Sequence, residues 1–198
     1  MAFTIRPAGI QDSADIARVH VASWKTTYAG VVPDAYLAGL DEEESARRWA
    51  ERFAAGDHIA FVAEIQPEAG SGIAGTTSGV IGFISGGKSR EDLGNCDAEL
   101  YAIYLLHSQQ RRGAGRLLTH ALATALRDMG HQSLLVWALE QNPAVYFYQR
   151  LGAVRVAERS IEIGGVDLPE LAFAWRSLDD LVRVTSTPAP MSLGIAEL

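Results

Sequence analysis

The sequence predicts an α/β (α+β) domain, and three observations predict it. The first is a strand-turn-helix succession. Residues 98–105 are rich in aromatic and β-branched side chains with no Gly or Pro, which suits a strand buried on both faces. A polar turn with two glycines follows, and then residues 116–129 place Leu118, Leu122, Leu126 and Met129 at helical spacing. Leu117, Ala121 and Ala125 widen that stripe, and Gly130 stands where a helix ends. The second is another buried run, residues 133–139, so that strand, helix and strand make a right-handed crossover between parallel strands. The third is the Gly164-Gly165 pair between residues 153–163 and 166–175, a hairpin signal that adds antiparallel strands.

Taken in order, Phe3, Thr4, Ile5 and Arg6 alternate as a short strand that Pro7 stops. Asp12 or Ser13 caps a helix running to about Thr26, with Ile16, Val19 and Ser23 along one side. His20, Trp24 and Tyr28 recur every four residues, a stripe of mixed aromatic and polar character; Trp24 suits either a core or a ligand contact. Pro33 and Asp34 turn the chain into a short helix ending near Leu40. Asp41 starts the next helix, where Glu42, Glu43 and Glu44 complement the positive end of the dipole. Residues 59–65 and 79–85 read as strands, joined by a Gly-, Ser- and Thr-rich stretch, 66–78, that reads as a surface hairpin loop. Residues 142–151 read as a helix with Pro143 tolerated at its first position.

A length of 198 residues with 48% hydrophobic content fits one domain, here residues 1–176, with 177–198 as a peripheral or disordered extension. The formal net charge of −7 argues against a nucleic-acid surface, which relies on clustered Lys and Arg. Cys96 is alone, so it forms no internal disulfide and has no cysteine partner for a metal site; no metal is expected. No segment approaches the ~20 apolar residues of a membrane helix, and the N-terminus lacks a long apolar core, so no membrane is expected and the protein reads as cytoplasmic.

The turn at 106–115 holds the chemistry. Gly113 and Gly115 let a ligand approach the backbone, and the first N–H groups of the following helix have no partner within it and sit at the positive end of its dipole. Anions bind such places, and Arg111, Arg112 and Arg116 add positive charge around this one. Arg116 and Leu117 occupy the places where a Walker motif requires Lys and Ser or Thr, which excludes it. A dinucleotide fingerprint is echoed by the two glycines, the preceding strand and Glu140. Leu118, however, holds the third glycine's place.

The spacing Gln110-x-x-Gly113-x-Gly115 between strand and helix resembles motif A of the GNAT superfamily, the Gcn5-related N-acetyltransferases. Asn142-Pro143-Ala144-Val145-Tyr146-Phe147-Tyr148-Gln149-Arg150-Leu151-Gly152-Ala153 resembles motif B of the same family. His107 stands where members often carry Pro, and Ala153 where they usually carry Phe. The resemblance covers about residues 3–175. It implies a mixed, mostly antiparallel, twisted sheet of six to seven strands, with a central parallel pair splayed around the coenzyme and about four flanking helices. It also implies acetyl-CoA as co-substrate, a small-molecule or peptide amine as acceptor, and often a homodimer.

Residue by residue, the resemblance places the coenzyme's pyrophosphate on Gln110, Arg111, Arg112, Gly113, Ala114, Gly115 and Arg116, with Asn142 as a further coenzyme contact. It gives the N–H groups of Ile103 and Leu105 to the pantetheine and acetyl oxygens, through a strand bulge the sequence does not reveal. Tyr148 matches the general acid; a phenol near pKa ~10 can donate to a thiolate whose conjugate acid titrates near ~8.5. Trp24, Tyr28 and Tyr101 are expected acceptor contacts. Glu99, put on one face with Tyr101 and Ile103 by period-two alternation, is either the base that deprotonates the amine or a strand-end acid facing water. His20 and His107 are alternative bases. Two other functions compete: a non-catalytic acyl-CoA sensor, which needs the phosphate turn but not Glu99 or Tyr148, and a nucleotide-cofactor oxidoreductase.

Overall fold

The computed structural model describes residues 3–65, 79–93 and 95–186. The alternating and apolar runs are extended, as β1 (Phe3–Pro7), β2 (Ile59–Ile65), β3 (Gly79–Lys88), β4 (Ala98–Leu105), β5 (Leu134–Leu139), β6 (Val154–Ile163) and β7 (Val166–Trp175). They form one sheet in the order β1-β2-β3-β4-β5-β7-β6. Every pairing is antiparallel except β4 with β5, which the crossover helix forces to be parallel. One parallel pair is not a doubly wound dinucleotide-binding sheet, which removes the fold that the oxidoreductase reading needs.

The helices are α1 (Ser13–Thr27), α2 (Asp34–Ala38), α3 (Glu42–Ala55), α4 (Ala114–Asp128), α5 (Ala144–Arg150) and α6 (Leu178–Ser186). Asp41 caps α3 as its position predicts, accepting the Glu44 N–H at 2.7 Å. On one face of the sheet, Leu118, Leu122 and Leu126 of α4 are fully buried against Ile84, Leu100, Leu134 and Val136, with Tyr148 and Leu151 beside them. On the other, Ile16 and Val19 of α1 and Trp49 of α3 cover Val62, Val80 and Phe83. A third cluster joins Tyr28, Val32 and Leu37 to Leu139 of β5 and Leu168 of β7. That cluster ties the N-terminal helices to the hairpin across the end of the parallel pair.

The structure departs from the sequence reading at the C-terminus. Residues 178–186 are not a peripheral extension: Leu178, Leu181 and Thr185 are buried at 1% exposure each, and α6 packs on α4. Their spacing is helical, but the Pro-rich composition after them masks it. Met129 lies one residue past the end of α4 and is exposed, so it is no part of the apolar stripe. Residues 66–78 and 187–198, for which the sequence suggests a loop and the end of the extension, lie outside the described residues.

Candidate active site

The site begins where a ladder ends. Strands β4 and β5 pair only from Ala98 with Leu134 to Leu100 with Val136, although β4 continues to Leu105 and β5 to Leu139. At the same point the register between β3 and β4 shifts, from Gly86 with Leu100 to Ser85 with Ala102, so Tyr101 is an extra residue. Such a bulge bends a strand and raises its twist, here turning β4 away from β5. The Leu106 N–H bonds to the Ile81 carbonyl of β3 at 2.9 Å. Strand alternation therefore turns the N–H groups of Ile103 and Leu105 the other way, into the gap.

The bulge also corrects the expected faces. Ala98, Leu100, Ile103 and Leu105 pack toward α4, whereas Ala102 and Tyr104 pack toward α1. Glu99 and Ile103 thus fall on opposite faces, because one inserted residue inverts the alternation. Glu99 is 1% exposed. Its carboxylate accepts the Arg90 backbone N–H and side-chain Nε, each at 3.1 Å, and pairs with Arg90 Nη2. The Arg90 guanidinium lies 4.6 Å from the centre of the Tyr101 ring, whose hydroxyl donates to the Lys88 carbonyl at 2.6 Å. Glu99 is neither facing water nor an open base; it anchors the segment before β4.

At the far end of β4, the turn has the backbone an anion site needs. Gly113 has φ +92, which glycine adopts without strain, and its added Cβ would meet nothing, so the requirement is conformational. Arg111 has φ +60, a strained setting for a side-chain-bearing residue of the kind that collects at ligand turns. Gly115 serves packing: a Cβ there would lie 3.3 Å from Leu105 Cδ1 and 3.6 Å from Phe147 Cζ. Helix α4 starts at Ala114 with no acid in its first turn. Gln110 donates its side-chain amide to the Leu105 carbonyl at 3.2 Å, and Ser23 of α1 donates to the same oxygen at 3.2 Å, fixing the strand end. Arg111 and Arg112 are exposed, with Arg112 bonded to Gln109. Arg116 is turned elsewhere: it donates to the Thr185 carbonyl at 2.6 Å and so caps α6.

Between these ends lies a cleft of about 40 Å³, lined by Tyr28, Asn142, Tyr148 and residues 100–104 and 136–138. Tyr148 is 4% exposed, edge-on to Trp175 at 5.8 Å, and burial raises its phenol above the ordinary range. Its hydroxyl has no hydrogen bond to a described residue. Opposite, Trp24 Nε1 donates to Tyr104 Oη at 2.9 Å, Asn142 Nδ2 donates to Tyr28 Oη at 2.8 Å, and both phenols line the cleft. Side chains from β4, α1 and the start of α5 thus bridge the gap the ladder leaves open. Tyr104 was not singled out by the sequence, because its partners lie on another element. Asn142 Oδ1 accepts the Ala144 N–H at 2.9 Å, so that side chain is already occupied at both ends.

The two alternative bases sit in different surroundings. His20 is mostly buried among Trp24, Phe83 and Tyr104, and desolvation, with help from Arg52, lowers its pKa to about 4. His107 is exposed on the turn. A larger hollow of about 200 Å³ between Pro7, Phe53, His58 and Phe61 contains none of the predicted residues. No cluster of metal-ligating side chains occurs among the described residues, and no described helix is long and apolar enough to cross a membrane.

Residues 89–160 match the FR47-like protein family. The chain is 44% identical over 178 residues to an uncharacterized N-acetyltransferase, YuaI, of Bacillus subtilis (strain 168), covering 90% of this chain and 95% of that protein. The chain belongs to the GNAT superfamily. Solved structures agree on the GNAT fold. A GCN5-related N-acetyltransferase from Rhodopseudomonas palustris superposes with a TM-score of 0.67 at 20% identity, over 89% of this chain and 96% of that one. YncA from Salmonella typhimurium, solved with its cofactor acetyl-CoA, gives 0.64 at 20% identity, over 97% and 99%. PaiA N-acetyltransferase from Thermoplasma acidophilum, solved with coenzyme A, gives 0.61 at 22% identity, over 88% and 100%.

Proposed function

We propose that this GNAT protein transfers the acetyl group of acetyl-CoA directly to a primary amine of a small molecule or peptide. The observation that carries the reading is the splay itself, where outward-facing N–H groups on β4 lead into the acid-free start of α4 and an unbonded phenol lines the cleft. The coenzyme bound in YncA and PaiA supports it.

In this reading the pyrophosphate rests on the amides of residues 113–116, with Gln110, Arg111 and Arg112 around it. The Ile103 and Leu105 N–H groups meet pantetheine and acetyl oxygens, where charge develops as the carbonyl is attacked. The neutral amine nitrogen bonds to the carbonyl carbon, the carbon–sulfur bond breaks, the leaving thiolate takes the proton of Tyr148 Oη, and the nitrogen gives its surplus proton to the phenolate by way of water, which restores Tyr148. Glu99 serves the architecture, and the amine enters in its unprotonated form. Release of free thiol from acetyl-CoA in the presence of an amine panel tests this. Tyr148→Phe is expected to lower kcat by about 10²-fold or more with coenzyme affinity nearly unchanged. Coenzyme binding without thiol release on any amine would favour an acyl-CoA sensor instead.

A further inference from the structure

The hydrogen bonds of the tyrosines at the cleft do not balance. Tyr104 Oη accepts the Trp24 indole N–H, and Tyr28 Oη accepts an amide N–H of Asn142. Any bond between the two phenols uses at most one of their two protons. The second proton has no acceptor among the described residues. Burial raises both phenols above their ordinary pKa, so neither relieves the imbalance by ionising. Both residues line the cleft, so the spare O–H is offered to whatever enters it.

We infer that the Tyr28–Tyr104 pair determines acceptor specificity, selecting amines that carry a hydrogen-bond-accepting oxygen next to the nitrogen, such as an amino-acid amide or a peptide N-terminus. This rests on the acetyl-transfer reading above and names its acceptor class. Tyr148 supplies the proton of the leaving group, and the Ile103 and Leu105 amides serve the acyl oxygen, so a further donor is surplus on the coenzyme side. Trp24 holds the pair on the α1 side of the sheet, away from α4. The attacking nitrogen keeps its lone pair for the carbonyl carbon, so the donor must address a neighbouring atom. The carboxylate that would attract a polyamine, Glu99, is closed by Arg90.

The test compares alaninamide and glycylglycine with isopropylamine and cadaverine, with rates referred to the unprotonated amine. Acetyl-CoA affinity is measured separately by calorimetry. The oxygen-bearing acceptors are expected to lead by about 100-fold or more in kcat/KM. Tyr28→Phe and Tyr104→Phe should each reduce that lead at least about 10-fold, mainly through KM, with coenzyme affinity within about twofold of the parent. Each variant leaves one N–H without its acceptor, so melting curves accompany both, and two variants guard against one misfolding. Equal rates for the two acceptor sets, equal slowing of both sets in the variants, or turnover of neither set by a protein that binds acetyl-CoA would overturn the inference. Failure of the parent protein to bind acetyl-CoA would instead overturn the acetyl-transfer reading.

Discussion

Asn142 donates a 2.8 Å hydrogen bond to the hydroxyl of Tyr28 while its own carbonyl accepts the N–H of Ala144, so one side chain both starts α5 and joins it to the end of α1. The two elements stand on either side of the opening between β4 and β5. An amide is required for both jobs, since one atom donates and the other accepts. Replacing Asn142 with Ala leaves a helix-start N–H and a buried phenol unpartnered. The expected loss is about 1–3 kcal/mol of stability in urea unfolding. A second expected effect is a fall in kcat/KM for the amine, because the cleft wall and the helix carrying Tyr148 lose their common tie. Unchanged kinetics in a destabilised Asn142→Ala protein would show that the tie serves folding alone.

The pairing of Glu99 with Arg90 leads to a prediction of the opposite kind. Glu99→Gln keeps the shape but removes the buried charge, and Arg90, whose side chain is 61% exposed, can return to water. We expect a stability loss of roughly 1–3 kcal/mol, below that of breaking a fully buried pair, and kcat within a few-fold of the parent. The pH-rate profile should keep its limb at the amine's own pKa. A collapse of kcat by two or more orders of magnitude with a displaced limb would restore Glu99 as the base.

Much of this fold was legible because its strongest signals are local. The apolar spacing of Leu118, Leu122 and Leu126, the Gly164-Gly165 hairpin and the glycines of the turn each report a conformation set by near neighbours. What was not legible depends on register. The extra residue at Tyr101 has no marker in the sequence, yet it inverts the facing of every residue after it and separates Glu99 from Ile103. The same limit hid Tyr104, whose value lies in meeting Trp24 from another element, and the bond from Arg116 to the Thr185 carbonyl of α6. Periodicity places side chains within an element, and only packing between elements assigns them partners.

His20 makes the protein sensitive to mild acid. Its folded pKa of about 4 lies below the unfolded value near 6.5, so between these limits the unfolded chain takes up a proton that the folded one refuses. Stability therefore falls as pH drops from 6.5 to 4, by at most about 3 kcal/mol from this residue, and the residue contributes no pH dependence above about 7. His20→Gln should flatten that part of the curve; the difference between parent and variant in chemical unfolding at pH 7, 5.5 and 4.5 isolates it from the carboxylates. Parallel curves for the two proteins would rule the residue out as the source.

Arg116 and Gly113 stand three residues apart in the same turn, and the structure gives them separate jobs. Arg116 closes the carbonyl end of α6, whose Leu178 and Leu181 are buried on α4, so Arg116→Ala should loosen that helix. The expected cost is about 1–2 kcal/mol in thermal or urea unfolding, with coenzyme affinity within about twofold. Gly113→Ala has the opposite profile. At φ +92 a methyl group strains the backbone by about 1 kcal/mol or more and shifts the amides that open α4. Coenzyme affinity should fall about 10-fold or more by calorimetry, since an anion held by main-chain N–H groups depends on their convergence. If Arg116→Ala weakens coenzyme binding as much as Gly113→Ala does, the guanidinium leaves Thr185 for the phosphate in the bound state, and α6 is then coupled to coenzyme binding rather than merely packed beside it.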